Sequence, residues 1–170
     1  MGEQGIGAES AEIAFKIAFD DIGLDQHVGN FWTKTATQWH SFPMKRVFKT
    51  RYFQRWMRKT ELTDAGLCNA IDEMLAGLID ADLGGGVLKK RVSVGGRGKR
   101  GGARTLVATN KGSRWFFVFG FEKSVRANVS DEELEALKSI AADLLARTDM
   151  QLDVALADGT LQEICHDDQG

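Results

Sequence analysis

A chain of 170 residues, 43% of them hydrophobic, can bury one good core and would strain to build two, so one compact domain with appendages is expected. No apolar run approaches the roughly eighteen residues of a membrane span, and the start MGEQGIGAES lacks the positive beginning and apolar block of a secretory signal, so the sequence reads as a soluble, cytoplasmic protein. The formal net charge of −2 conceals a strong segregation of charge along the chain.

Residues 1–43 hold two basic and six acidic groups. Ala11–Ile22 reads as a helix, whereas FWTKTATQWHSF shows no clear period. This stretch is either an extension dispensable for activity or an accessory helix packed on the domain. After Pro43, the run MKRVFKTRYFQRWMRKT has seven basic residues and no acid. Within it Lys45–Lys49 reads as a short strand and Arg51–Lys59 as a helix. Thr63 is an N-cap for a second helix, in which Leu67, Ile71, Met74, Leu75 and Leu78 recur at helical spacing before Asp80. Residues 61–83 reverse the charge, with six acids and no base; residues 84–127 then carry eleven bases against the single acid Glu122.

Three strands are predicted next, Val87–Val94, Arg104–Thr109 and Arg114–Glu122, the last two joined by a tight turn at Asn110, Lys111 and Gly112. Ser130 followed by Glu133 is a capping-box pattern that opens a helix over Asp131–Arg147. Met150–Ala157 reads as a short helix and Thr160–Cys165 as a final edge strand. The class is α+β: a small antiparallel, mixed-edge sheet of about four strands, two helices before it and one after. The predicted boundaries are 1–43 for the extension, 44–148 for the domain and 149–170 for a tail. Cys68 and Cys165 lie far apart and lack the spacing of a zinc site, so two free thiols are expected and no metal.

The stretch LKKRVSVGGRGKRGGARTL contains seven Lys and Arg residues and no carboxylate. Strand alternation puts Lys89 and Arg91 on one face, about 7 Å apart, and Lys90 on the other with Leu88, Val92 and Val94, where its charge must snorkel or lie at an edge. If the following strand pairs as a neighbour, Arg104 stands near Lys89 and Arg91. Cations that converge without an acid between them repel one another, which suits an anion that arrives later. The five glycines of the intervening loop allow Arg97, Lys99 and Arg100, with Lys90, to grip RNA phosphates; the GxxxxGK[ST] pattern of a nucleotide loop is absent.

The order of elements, the LKKRV motif, GKRGGARTL and GFEKSVRANVSDEEL together resemble the RelE/ParE superfamily of toxins, closest to its RelE and HigB-like branch, over about Met44–Arg147. The resemblance implies a RelE-like fold and a type II toxin that cleaves messenger RNA in the ribosomal A site. It also implies silencing by a cognate antitoxin protein, with no cofactor, no metal and no membrane partner. It places the catalytic set at Lys89, Arg91, Arg104 and Lys123. Arg91 and Arg104 would clamp phosphate oxygens, and Lys89, then Lys123, would serve as base. Ser124 departs from the better-known members, where arginine or asparagine is common, and no tyrosine follows it. The only tyrosine is Tyr52 in the first helix, so base stacking is expected from Phe119, Phe121 or Trp115. The alternatives are a ParE-like topoisomerase inhibitor and a non-catalytic RNA-binding module.

Overall fold

The computed structural model describes residues 44–96, 98 and 101–166. The helix expected at Ala11–Ile22 lies outside them. Strand β1 (Arg46–Thr50) is followed at once by α1 (Arg51–Met57), because the Thr50 hydroxyl leaves the strand as an N-cap and accepts from the Phe53 amide. Helix α1 ends two residues short of the expected Lys59. There the Thr60 hydroxyl donates to the Met57 carbonyl, satisfying one of the acceptors that a helix end leaves open. Helix α2 (Asp64–Leu75) is capped by Thr63 as anticipated and stops before Gly77, which takes a left-handed conformation at φ +89°.

The chain then forms β2 (Ala81–Asp82), β3 (Val87–Val92), β4 (Ala103–Thr109) and β5 (Arg114–Glu122). Strand β3 ends two residues before the expected Val94, ahead of Gly95 and Gly96 at φ +54° and +72°. A Cβ on Gly95 would run into the Glu61 carboxylate. In the β4–β5 turn the Asn110 Oδ1 accepts from the amides of Gly112 and Arg114, which fixes the reversal. Helix α3 (Asp131–Ala146) opens with the predicted capping box, α4 (Asp149–Ala157) with a second one between Thr148 and Gln151, and β6 (Leu161–Ile164) closes the described chain.

These strands form one sheet in the order β2-β3-β4-β5-β1-β6. All neighbours are antiparallel except β1 and β5, which run parallel with Val47 beside Trp115. The class is α+β, with four helices and a mixed six-stranded sheet among the described residues, in place of about four strands. Alternation along β1 sends Val47 to one face and Phe48 to the other. Val47, Leu88, Val107 and Phe117 meet Phe53, Leu67 and Ile71 of α1 and α2; Phe48, Leu106 and Phe116 meet Leu137, Ile140 and Leu144 of α3. Both faces are therefore covered by helices, and a functional surface has to lie where that cover stops.

The cysteines correct the sequence reading. Cys68 of α2 and Cys165, just past β6, are joined in a disulfide, their Cα atoms 5.5 Å apart and 97 residues apart in sequence. The bond ties the β6 edge to α2.

Candidate functional site

The cover stops at the glycine-loop end of the sheet, on the face that carries α3. Arg91 of β3 stands opposite Arg104 of β4, and Arg104 stands opposite Phe121 of β5. Residues directly opposite in an antiparallel pair share a face, so these side chains form a row across three strands. One register step further in, Lys89, Leu106 and Phe119 form a parallel row. Lys89 and Arg104 are half-buried, and neither has a carboxylate partner among the described residues. Arg91 does have one: its Nε and its backbone amide donate to the two oxygens of Asp80, at 2.9 and 2.7 Å. Burial works to raise the Asp80 carboxyl, but these two bonds and the Arg91 charge outweigh it and hold the group below the usual carboxylate range.

Lys123 lies exposed past the end of β5, away from the paired register. The residue that completes the row is Arg126, which the sequence reading missed. Its guanidinium sits 5.8 Å from the ring centres of both Phe119 and Phe121. Its Nη2 donates to Glu133 at 2.5 Å and its Nε to the Asn128 carbonyl at 3.0 Å. The same Glu133 oxygen accepts from the Ser130 amide, so the capping box of α3 also anchors Arg126. The Ser130–Glu133 spacing was visible in the sequence, but its second use was not.

Tyr52 also belongs here. It stacks on Phe119, ring centres 5.6 Å apart and planes 5° from parallel. Burial pushes its phenol above the ordinary value, with Arg126 pulling it down and Glu133 pushing it up. Its hydroxyl has no hydrogen-bond partner among the described residues, although a half-buried phenol normally finds one. Phe119 and Phe121 are themselves covered, by Tyr52 and Arg126, and Trp115 is buried on the opposite face with its Nε1 donating to the Gly112 carbonyl. The exposed edge of this aromatic cluster is therefore Tyr52, not the three residues expected.

Lys90 is a correction. It is only 3% exposed, on the opposite face, where Nζ pairs with Glu73 at 2.7 Å and donates to the Leu78 carbonyl at 2.7 Å. An ammonium so enclosed is not presented to RNA phosphates. Arg97, Lys99 and Arg100 lie outside the described residues, as do His27 and His40. Among the described residues no group of His, Cys, Asp and Glu could hold a metal ion, and no helix is long and apolar enough to cross a membrane.

The assembled surface is a row of guanidinium groups beside an aromatic stack, which suits a nucleic-acid backbone with an unstacked base. The family model described as the RelE toxin of the RelE / RelB toxin-antitoxin system matches residues 45–164, from the residue before β1 to the end of β6. The chain belongs to the RelE toxin family. No match was found among curated proteins. Every element that builds this surface falls inside the matched span, and residues 1–43 fall outside it.

Proposed function

We propose that this RelE-family toxin cleaves messenger RNA on the ribosome and is silenced by an antitoxin that occupies its basic row. The observation that carries the reading is the Arg91–Arg104 pairing in register, with Arg126 beyond it. In RNA cleavage the 2′-oxygen bonds to phosphorus, the bond to the 5′-oxygen breaks, and negative charge grows on the phosphate oxygens between. Guanidinium groups stay charged and present forked donors, so Arg91 and Arg104 are suited to hold those oxygens. The 2′-hydroxyl proton has to be removed and the leaving oxygen protonated. Lys89 is the candidate for removal, with Lys123 as the alternative. Such a set lacks a dedicated histidine, and positioning of the RNA by the ribosome supplies what it lacks, an effect that can reach several kcal/mol.

This reading puts the chain in the cytoplasm, where thiols are kept reduced. The fold cannot then depend on the Cys68–Cys165 bond. The test is to map transcript ends on ribosomes after brief induction of the wild type and of Lys89→Ala with Arg104→Ala. New ends inside open reading frames that vanish in the folded double variant are expected. Growth arrest with intact transcripts, or cleavage that survives in the double variant, overturns the reading.

A further inference from the structure

Residues 84–127 hold eleven bases and the single acid Glu122, yet a carboxylate from outside that block reaches the basic row. It belongs to Asp80, just before β2. The Asp80 amide donates to the Lys89 carbonyl at 3.2 Å, and Ala81 and Asp82 pair with Lys89 and Leu88, so the two-residue strand lays Asp80 along the β3 edge beside Arg91. A carboxylate on a surface that receives RNA repels the phosphates the surface should attract. Its presence there calls for a compensating role.

The form of the contact supplies one. Charge neutralisation alone is best served when a carboxylate meets a guanidinium through two parallel bonds from neighbouring nitrogens. Asp80 does something else: Oδ1 takes the side chain at Nε, at 2.9 Å, while Oδ2 takes the Arg91 backbone amide at 2.7 Å. One carboxylate thus ties the root of Arg91 to its Nε, and the rotatable bonds between those two atoms are closed into a ring. Both Nη groups project beyond the tie, and neither has an acceptor among the described residues. The Asp80 side chain is 22% exposed and that of Arg91 48%, so the anchor is shielded and the fork is the open end. Arg104, opposite in β4, repels this guanidinium, and without the tie Arg91 is free to swing away from it.

We propose that Asp80 is a positioning residue for RNA cleavage, an inference that rests on the nuclease reading above: it holds Arg91 by Nε so that both Nη groups stay turned, with Arg104, toward the scissile phosphate. Asp80 itself touches no RNA. Donors held in place before the phosphate oxygens gain charge raise the rate of the chemical step, because no reorientation is then needed at the transition state. Binding follows the opposite sign, since the same carboxylate weakens the attraction of the surface for the RNA backbone. Loss of Asp80 therefore separates the two quantities: RNA is held at least as tightly and cut more slowly.

Single-turnover cleavage on ribosomes programmed with messenger RNA tests this, with the full chain as wild type and as Asp80→Asn, each also in an Arg91→Lys background. Lysine carries one ammonium and no fork for the tie to orient. At saturating toxin Asp80→Asn should cleave about tenfold more slowly than the wild type, while the toxin concentration for half-maximal cleavage stays equal or falls. In the Arg91→Lys background the same substitution should change the rate by less than about twofold. A rate for Asp80→Asn within about twofold of the wild type overturns the proposal, and so does an equal loss in both backgrounds, which means that Asp80 acts on something other than Arg91. Weaker binding of Asp80→Asn also overturns it, assigning Asp80 to the fold. Each of these outcomes comes with a wild type that cuts; transcripts left intact by the wild type sink the nuclease reading itself, and this proposal with it.

Discussion

Arg91 and Arg104 face each other across β3 and β4, yet among the described residues only Arg91 of the two is given an acid, Asp80, which grips both its side chain and its amide. Asp80 thereby relieves part of the repulsion between the two guanidinium groups and fixes the position of one. Its folded carboxyl is held below the ordinary value, so the stability it contributes is present above the unfolded pKa of about 3.9 and is lost as pH falls through the lower folded value. Urea midpoints of the wild type and Asp80→Asn should therefore differ most at neutral pH. The gap should close between about pH 5 and about pH 2. A gap that stays constant through that range would show that Asp80 acts through shape and not charge.

Tyr52 offers a cleaner separation of stacking from hydrogen bonding. Its ring packs on Phe119 while its hydroxyl has no partner among the described residues. Tyr52→Phe should hence leave the unfolding free energy within about 0.5 kcal/mol of the wild type, as read from urea titration. If the hydroxyl takes a hydrogen bond to bound RNA, the same variant should cleave roughly tenfold more slowly on ribosomes, the loss of about 1.4 kcal/mol that one such bond supplies. Tyr52→Ala should in addition destabilise the fold, by about 3 kcal/mol, since it also removes a ring that covers Phe119. Equal cleavage by the wild type and Tyr52→Phe would assign the residue to packing alone.

Lys89 and Lys90 are neighbours with opposite fates, and their substitutions should behave accordingly. Lys90 is enclosed with Glu73 and the Leu78 carbonyl. Glu73→Gln leaves a buried ammonium short of its counter-charge and should cost about 2–4 kcal/mol, somewhat below a fully buried pair because Glu73 still reaches solvent. Lys90→Met removes the buried charge and takes the ammonium away only from Glu73, which still reaches solvent, and should cost less than Glu73→Gln. Messenger RNA cleavage should survive Lys90→Met and fail in Lys89→Met. Denaturant midpoints and transcript mapping check the two halves. Loss of cleavage in a stable Lys90→Met protein would return that lysine to the RNA surface.

The contrast between those lysines also shows where the sequence was legible. Alternation along Val87–Val92 puts Lys90 on the face of Leu88 and Val92, but its enclosure there comes from Glu73 on helix α2, and no local pattern announces a pairing of that kind. Helices α2 and α3 and the β4–β5 turn were readable because Thr63, Ser130 with Glu133, and Asn110 act within a few residues of themselves. Strand β2 has only two residues and so no periodicity to detect. The insertion of β1 between β5 and β6 is decided by packing of the finished sheet, a relation between distant segments. Arg91 and Arg104 came together as the strand order implied. Arg126 did not stand out among eleven bases, because its role comes from Phe119, Phe121 and Glu133 meeting it in space.

Cys68 and Cys165 were read as independent thiols for the same reason: a separation of 97 residues carries no local signal. In the chain-entropy account, a loop of that length restrains the unfolded chain by up to about 4.7 kcal/mol. Yet α2 is also held by packing: Leu67, Ile71 and Met74 are buried against Val47, Leu88 and Phe117, contacts that do not pass through the sulfurs. Reduction with dithiothreitol, or Cys68→Ser with Cys165→Ser, should accordingly lower the urea midpoint substantially while leaving far-ultraviolet circular dichroism and RNA cleavage intact at low denaturant. The loosened part should be the β6 edge, seen as faster amide exchange in Leu161–Ile164 than in β4 or β5. Collapse of the whole sheet on reduction would mean that the bond, and not the helix–sheet core, holds α2 in place, and a cytoplasmic toxin would then be ruled out.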